Sequence, residues 1–407
     1  MSEPRASALD SATGWTIVGF GLAVLLLVWG MIFTFTVYRG ELGAAFGLSS
    51  IQTSSVFSIT TAAFFVAGGL AGVVIARTPL RPVVAIGGVA IGAAVGLLQV
   101  VSSYLGLAVA FAVLGVAGGT LFVIVISLVP QWFDEREGLA MGVTVIGNGL
   151  GVLVLPFVWV WLLDRTGIRT ALAVVGGATA VVVLLSSIVS RRPPGLRGGS
   201  AAAVDRAWLK STFTDRRFQA AIVGFPLVWS WYFMLSSSLV DVLTTAGIEQ
   251  SVAATAFGIV GGVSVLARVG SGTLADLIDG RLTFAAGVTL GGLGVLSLTV
   301  VDSPVLMYAA MVVFGIGLGT LAALFSPIVV GAFGEEHATA AVGLFNVSEA
   351  STAFLTPIMV NALADATGGY GVPLVILSAM TLLGAALFYW GTGEPAARTE
   401  ATQGETA

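Results

Sequence analysis

The stretch VLGVAGGTLF at 113–122 returns as VFGIGLGTLA at 313–322, an offset of 200. The echo extends in both directions. Trp29 matches Trp229, Gly47 matches Gly247 and Arg81 matches Arg281 at that offset. Further along, LPFVWVWLLDRTG (155–167) matches TPIMVNALADATG (356–368) at an offset of 201. One such match could arise by chance. A near-constant offset along most of each half reads as a duplication of one large unit.

Composition fixes the solvent of that unit. The chain has 407 residues, 57% of them hydrophobic and 9% charged, with a mean hydropathy of +1.02. A soluble domain carries about 25% charged residues, so this one cannot cover a water-facing surface. Its long apolar runs suit membrane helices rather than barrel strands. With no cysteine there is no disulfide, Fe–S cluster or thiol catalysis, and the single histidine, His337, has no grouped ligands around it for a metal. No cofactor is expected.

Runs of about 20 apolar residues mark spans near 15–38, 51–76, 82–102, 104–130, 138–163 and 169–190. They resume near 218–240, 252–275, 283–301, 304–331, 339–363 and 371–391. The first run is too long for a cleaved signal and reads as a retained span. This gives an all-α membrane protein of twelve spans in two parallel-repeat six-helix bundles, 1–190 and 218–391. A polar linker (191–217) joins the bundles and a tail (392–407) follows. Thirteen basic residues fall on the side that holds both termini and three (Arg39, Arg165, Arg169) on the other, which predicts cytoplasmic termini in a cell membrane. Parallel repeats of this kind fit a transporter.

Between the eighth and ninth spans the sequence reads GTLADLIDGR (272–281). This resembles the gate signature of the major facilitator superfamily, carried here by Gly272, Asp276, Gly280 and Arg281. The corresponding GLAGVVIARTPLR (69–81) is degraded, with Gly72 where the acid is expected. Four further stretches resemble the monocarboxylate porter and oxalate–formate antiporter branch: DSATGW (10–15), VYRGELGAAFGLSS (37–50), WFDEREGLAMGVTVIGNGLG (132–151) and LVDVLTTAGIEQSVAATAFGIVGGVSVLARVGSG (239–272). The resemblance implies the major facilitator fold and transport of small organic anions such as lactate or pyruvate, by proton symport or anion exchange. Two positions depart from the branch pattern. Ser264 stands where many porters carry an acid, and Glu349, within GLFNVSEAS (343–351), where oxalate-type relatives carry a lysine.

Arg268 is the most expensive residue in the chain. It lies about 12 Å inside the rim marked by Asp276, where insertion costs about 2.5–3.5 kcal/mol. It reads either as a carboxylate anchor, since a guanidinium fork matches a carboxylate with two parallel bonds, or as half of a structural ion pair. Glu349 sits at similar depth and reads as a proton carrier or as the counter-charge of Arg268. Asn148, its repeat mate, lies in GNGLG (147–151) and is either helix-packing glue or a second donor to a substrate carboxylate. Trp29 and Trp229 hold symmetric mid-span positions and are candidate cavity walls, with Phe33, Phe122 and Tyr232 as weaker ones. Trp15, Trp132, Trp159, Trp161 and Trp390 fit the interfacial belt. The DERE run (134–137) and Glu335–Glu336 either pair with inner-face arginines or are simply solvated.

The expected function is a secondary carrier of small organic anions working by alternating access, functional as a monomer. Its partners are the anion, a proton or exchanged anion, and the bilayer, with no nucleic acid. An exporter of amphipathic or drug-like compounds is the alternative, and a non-transporting membrane sensor ranks last. No nucleophile–base or metal constellation suggests an enzyme.

Overall fold

A computed structural model describes residues 9–75, 78–194, 206–334 and 338–393. These residues form fourteen α-helices: α1 (Ala12–Phe33), α2 (Phe35–Phe46), α3 (Ser50–Ile75), α4 (Leu80–Val100), α5 (Tyr104–Leu128), α6 (Glu137–Thr166), α7 (Ile168–Val189), α8 (Arg206–Thr214), α9 (Arg216–Thr245), α10 (Gln250–Leu277), α11 (Gly280–Ser297), α12 (Pro304–Phe333), α13 (Ala338–Thr367) and α14 (Gly371–Gly391). Helices α1 and α2 together make one crossing, and α8 is the short helix between the halves. Eleven helices are long and apolar enough to cross a membrane. At 30 residues α13 is just as long. It falls below that apolarity because it carries Asn346, Glu349, Asn361 and Asp365, and the repeat rather than hydropathy identifies it as a span.

The duplication is visible as a duplicated packing scheme. In the first half α1 packs on α6, α3 on α5 and α4 on α7. In the second half the equivalents are α9 on α13, α10 on α12 and α11 on α14. The halves meet through α3 with α13 and α6 with α10, two seams that exchange under the same repeat, and through α2 with α9.

Glycines from the repeated stretch do the same job twice. A methyl added at Gly115 or Gly119 would run into the carbonyl oxygens of Thr60 or Phe64 on α3. One added at Gly315 or Gly319 would run into Val263, Ser264 or Ala267 on α10. Lipid supplies no hydrophobic drive between helices, so close backbone approach at small residues carries the association. The Gly47–Gly247 match has a local cause too. Each ends a crossing with positive φ, 62° and 87°, in the left-handed region that suits glycine.

The first crossing departs from the expected 15–38. It is helical from Ala12 to Phe46 with a break at Thr34. Trp159, placed by sequence in the interfacial belt, is instead fully buried, and its Nε1 donates to Thr34 Oγ1 at 2.8 Å. Tyr38 spans the break by donating to the Met31 carbonyl at 2.8 Å. Trp132 is buried as well, with its Nε1 donating to the Arg191 carbonyl. Trp161 and Trp390 are exposed on the outer surface, as a belt requires.

Below, "proximal" is the face where α1 begins and α14 ends, and "distal" the opposite face.

Candidate functional site

Arg268 lies on α10 against α6. Its Nη1 donates to the Val145 carbonyl at 3.0 Å. Its Nε is buried with no protein partner. Ser264, one turn away, donates back to the Gly261 carbonyl at 2.7 Å and offers no charge. Among the described residues, Arg268 and Glu349 do not form an ion pair. The counter-charge role for Glu349 is therefore not realised in this conformation.

Asn148 sits beside this contact because Gly149 lets α6 touch α10. A methyl at Gly149 would meet Val265 and the Gly261 carbonyl. Asn148 is buried, and its Oδ1 has no protein partner. An unsatisfied buried polar group costs about 1–3 kcal/mol. Finding several at one seam marks a place shaped for something other than packing.

The aromatic candidates gather into one cluster between the halves. Trp29 Nε1 donates to Tyr232 Oη at 2.9 Å, across 203 residues of sequence. Phe33 stacks on Trp29 at 4.2 Å and on Tyr232 at 5.7 Å between ring centroids. Phe122 lies 5.5 Å from Trp29 and Trp229 5.8 Å from Tyr232. Phe33 and Tyr232 are fully buried, whereas Trp29 and Phe122 keep an accessible face. Trp229 carries a buried Nε1 without a protein partner.

Glu349 is buried on the side of α13 that faces α9. One turn to either side, Phe345 packs on Phe225 at 5.4 Å and Thr352 donates to the Pro226 carbonyl at 2.8 Å. The site thus holds a half-buried cation and a buried acid, not joined to each other.

The gate signature stays within the second half here. Arg281 donates to the Tyr389 carbonyl at 2.5 Å and lies over the Tyr389 ring, tying α11 to α14. Asp276 is exposed, and Gly272 and Gly280 sit at the proximal ends of α10 and α11. The DERE loop is held by Asp10, whose Oδ2 accepts from the backbone N–H of Asp134 and Glu135. Glu335–Glu336 and His337 lie outside the described residues.

Sequence reasoning missed a second arginine. Arg39, expected in a distal loop, is buried within α2. Its Nη1 pairs with Asp241 of α9. Its Nη2 reaches Ser50 Oγ at 3.0 Å, Ser54 Oγ at 3.1 Å and Asn361 Oδ1 at 2.8 Å. Asn361 also accepts from Tyr370 and donates to Ser238. Val240 N–H donates to Thr36 Oγ1 beside them. Interactions that join the halves include Arg268 to Val145, the Trp29–Tyr232 bond of the aromatic cluster and this distal network. The signal in the sequence was a pair of opposite charges, Arg39 and Asp241, near the distal ends of repeat-related crossings.

The chain matches the Major Facilitator Superfamily over residues 18–357 and 221–407. It is 26% identical to Monocarboxylate transporter 3 of Rattus norvegicus, over 89% of this chain and 76% of that one. It is 24% identical to Monocarboxylate transporter 13 of the same organism, over 93% and 89%. Among solved structures, a mutant of the nucleoside transporter NupG shares the fold with a TM-score of 0.74 at 13% identity, covering 92% of this chain and 98% of that one. The chain is a multi-pass membrane protein and a transporter rather than an enzyme; it belongs to the major facilitator superfamily and resembles its monocarboxylate transporters.

Proposed function

We propose that this protein is a secondary carrier of small organic anions, with a monocarboxylate as first choice of substrate. The observation that carries the reading is Arg268: a guanidinium deep in the seam between the halves, bonded to one carbonyl, with a buried Nε and no acid paired to it. A charge held at that depth is a functional feature by default. A carboxylate would complete its hydrogen bonding and neutralise it, and Asn148 and Trp229 would add polar contacts. Trp29 and Phe122 would enclose the organic part, backed by Phe33 and Tyr232.

The bundles within 1–190 and 218–391 would rock about this site, joined by 191–217. The basic bias of the proximal face makes that face cytoplasmic, so the distal network closes the outer side. Neutralising Arg268 lowers the barrier to closing the seam around a loaded site. Glu349, lying apart from Arg268, is free to carry a proton, which favours symport over exchange.

Uptake of radiolabelled pyruvate, lactate and benzoate into proteoliposomes tests the assignment. Arg268→Lys keeps the charge and loses the fork, so uptake should collapse; near-normal transport would refute the anchor. Glu349→Gln should abolish accumulation driven by an inward proton gradient while leaving exchange of labelled for unlabelled anion. Gradient-driven accumulation that persists in Glu349→Gln would remove the proton role. Transport of neutral or cationic amphipaths, indifferent to Arg268, would favour the exporter reading that the aromatic walls also suit.

A further inference from the structure

The distal network is built differently from a simple clasp. On the Nη2 side Arg39 meets neutral acceptors, Ser50, Ser54 and Asn361, contributed by α3 and α13. On the Nη1 side it meets its charged partner, Asp241. The two members of that pair are unequally placed. The Arg39 side chain is 4% exposed and that of Asp241 35%. The cation is fixed, and the acid reaches it from the solvent side.

Beneath Arg39 the seam is lined with buried hydroxyls. Ser54 is followed one turn inward on α3 by Ser58 and Val240 on α9 by Ser236 and then Tyr232, while Thr356 lies five residues inward of Asn361 on α13. Ser58, Ser236 and Thr356 are at most 1% exposed; Ser236 lies against Tyr232, and the hydroxyls of Ser58 and Thr356 have no protein partner. A permanent seal gains nothing from hydroxyls left unsatisfied at about 1–3 kcal/mol each. A seam that opens to water does. The run from Val240 to Tyr232 is about 12 Å along the helix, so the hydroxyls connect Arg39 to the aromatic cluster above Arg268.

We propose that Arg39 is an outer docking station for the carboxylate of the transported anion. Arriving from the distal side, the carboxylate takes the place of Asp241 on Nη1, offering the same fork geometry and charge. Displacing Asp241 releases α9 from α2, so occupancy of the station opens the path it guards. Asp241 is thus a tethered mimic of the substrate, and its exposure makes it the member that yields. This inference rests on the reading of the molecule as an organic anion carrier.

Asp241→Asn and Arg39→Gln both break the ion pair, and they separate a station from a mere latch by sign. In the full-length chain, expressed in cells and assayed in right-side-out vesicles with pyruvate and benzoate as probes, Asp241→Asn removes the competitor. It should lower the KM for distally added anion by about tenfold; Arg39→Gln removes the docking cation and should raise it by about tenfold. The natural chain contains no cysteine, so Ser58→Cys reports opening through an impermeant thiol reagent. Its labelling should accelerate in both backgrounds, which confirms that both variants fold and open. Equal or same-direction KM shifts, with labelling accelerated in both, would overturn the station. If either variant fails to accumulate, Arg39→Lys, which keeps the charge, should lie between wild type and Arg39→Gln in KM; a wild-type value would overturn the proposal. Failure of the wild type to carry any carboxylate would instead take down the anion-carrier reading and this inference with it.

Discussion

Arg39 and Arg268 are arginines at the contact of the same two halves, the first buried and the second half-buried, and they are housed in opposite ways. Arg39 has an acid on one arm, two serines and an asparagine on the other, drawn from three crossings. Arg268 has one backbone carbonyl. Desolvating a charge is expensive, and nearby counter-charge and hydrogen bonds offset it only when the geometry is good. The first arginine is stabilised by an acid of the protein itself, although its Nε, like that of Arg268, is buried without a protein partner. The second is left with interactions that a solute can complete. The difference lies in the counter-charge: a carboxylate arriving at Arg39 must displace Asp241, whereas at Arg268 it finds no acid in its way.

The largest effect should come from Arg268→Lys. Losing bidentate recognition should cut carboxylate uptake, as kcat/KM, by about a hundredfold, without changing the labelling rate of Ser58→Cys. Equal loss of uptake in Arg39→Lys would erase the distinction between the two sites. Thermal stability should move with opposite signs. Arg268→Met removes a half-buried charge that has no acid partner and should raise the melting temperature by about 2–4 °C, the scale of roughly 1 kcal/mol. Arg39→Met strands Asp241, Asn361 and two serines and should lower it by at least as much. Unfolding of the purified protein in detergent reads both, and a shared sign would break the comparison.

Arg268 was legible in the sequence and Arg39 was not, for a physical reason. Arg268 interrupts a long apolar run, so its cost shows without knowing the fold. Arg39 stands at the end of such a run, next to Gly40 and Glu41, where apolar character fades and a loop is the natural reading. The helix continues past that point because Trp159 and Tyr38 brace the break at Thr34. The partners of Arg39 are 202 and 322 residues away, at Asp241 and Asn361. The two bundles and the glycines of the repeated stretch were readable because a duplication writes the same packing twice. The candidate aromatics also came together as one cluster, since each sits near the middle of its crossing. What sequence could not supply was pairing: that Glu349 packs on the α9 side of α13 without pairing with Arg268, or that Trp159 belongs to the core and not to the belt.

Between the two arginines stands the Trp29–Tyr232 hydrogen bond, and it offers the finest test of how closure is shared. Trp29→Phe keeps a ring to stack on Phe33 and deletes the bond across the halves. A neutral hydrogen bond contributes about 1 kcal/mol net, so the distal seam should open about fivefold more often, read as a matching rise in Ser58→Cys labelling. The rise should be smaller than that from Arg39→Gln, which removes an ion pair and three hydrogen-bond contacts. If Trp29→Phe opens the seam as far as Arg39→Gln does, the aromatic tier sets the closed state and the distal arginine only decorates it. If labelling does not change, Trp29 serves as a wall and closure resides entirely at Arg39. An intermediate value places the two tiers in series, with the anion released from the outer cation before the inner rings part to admit it to Arg268.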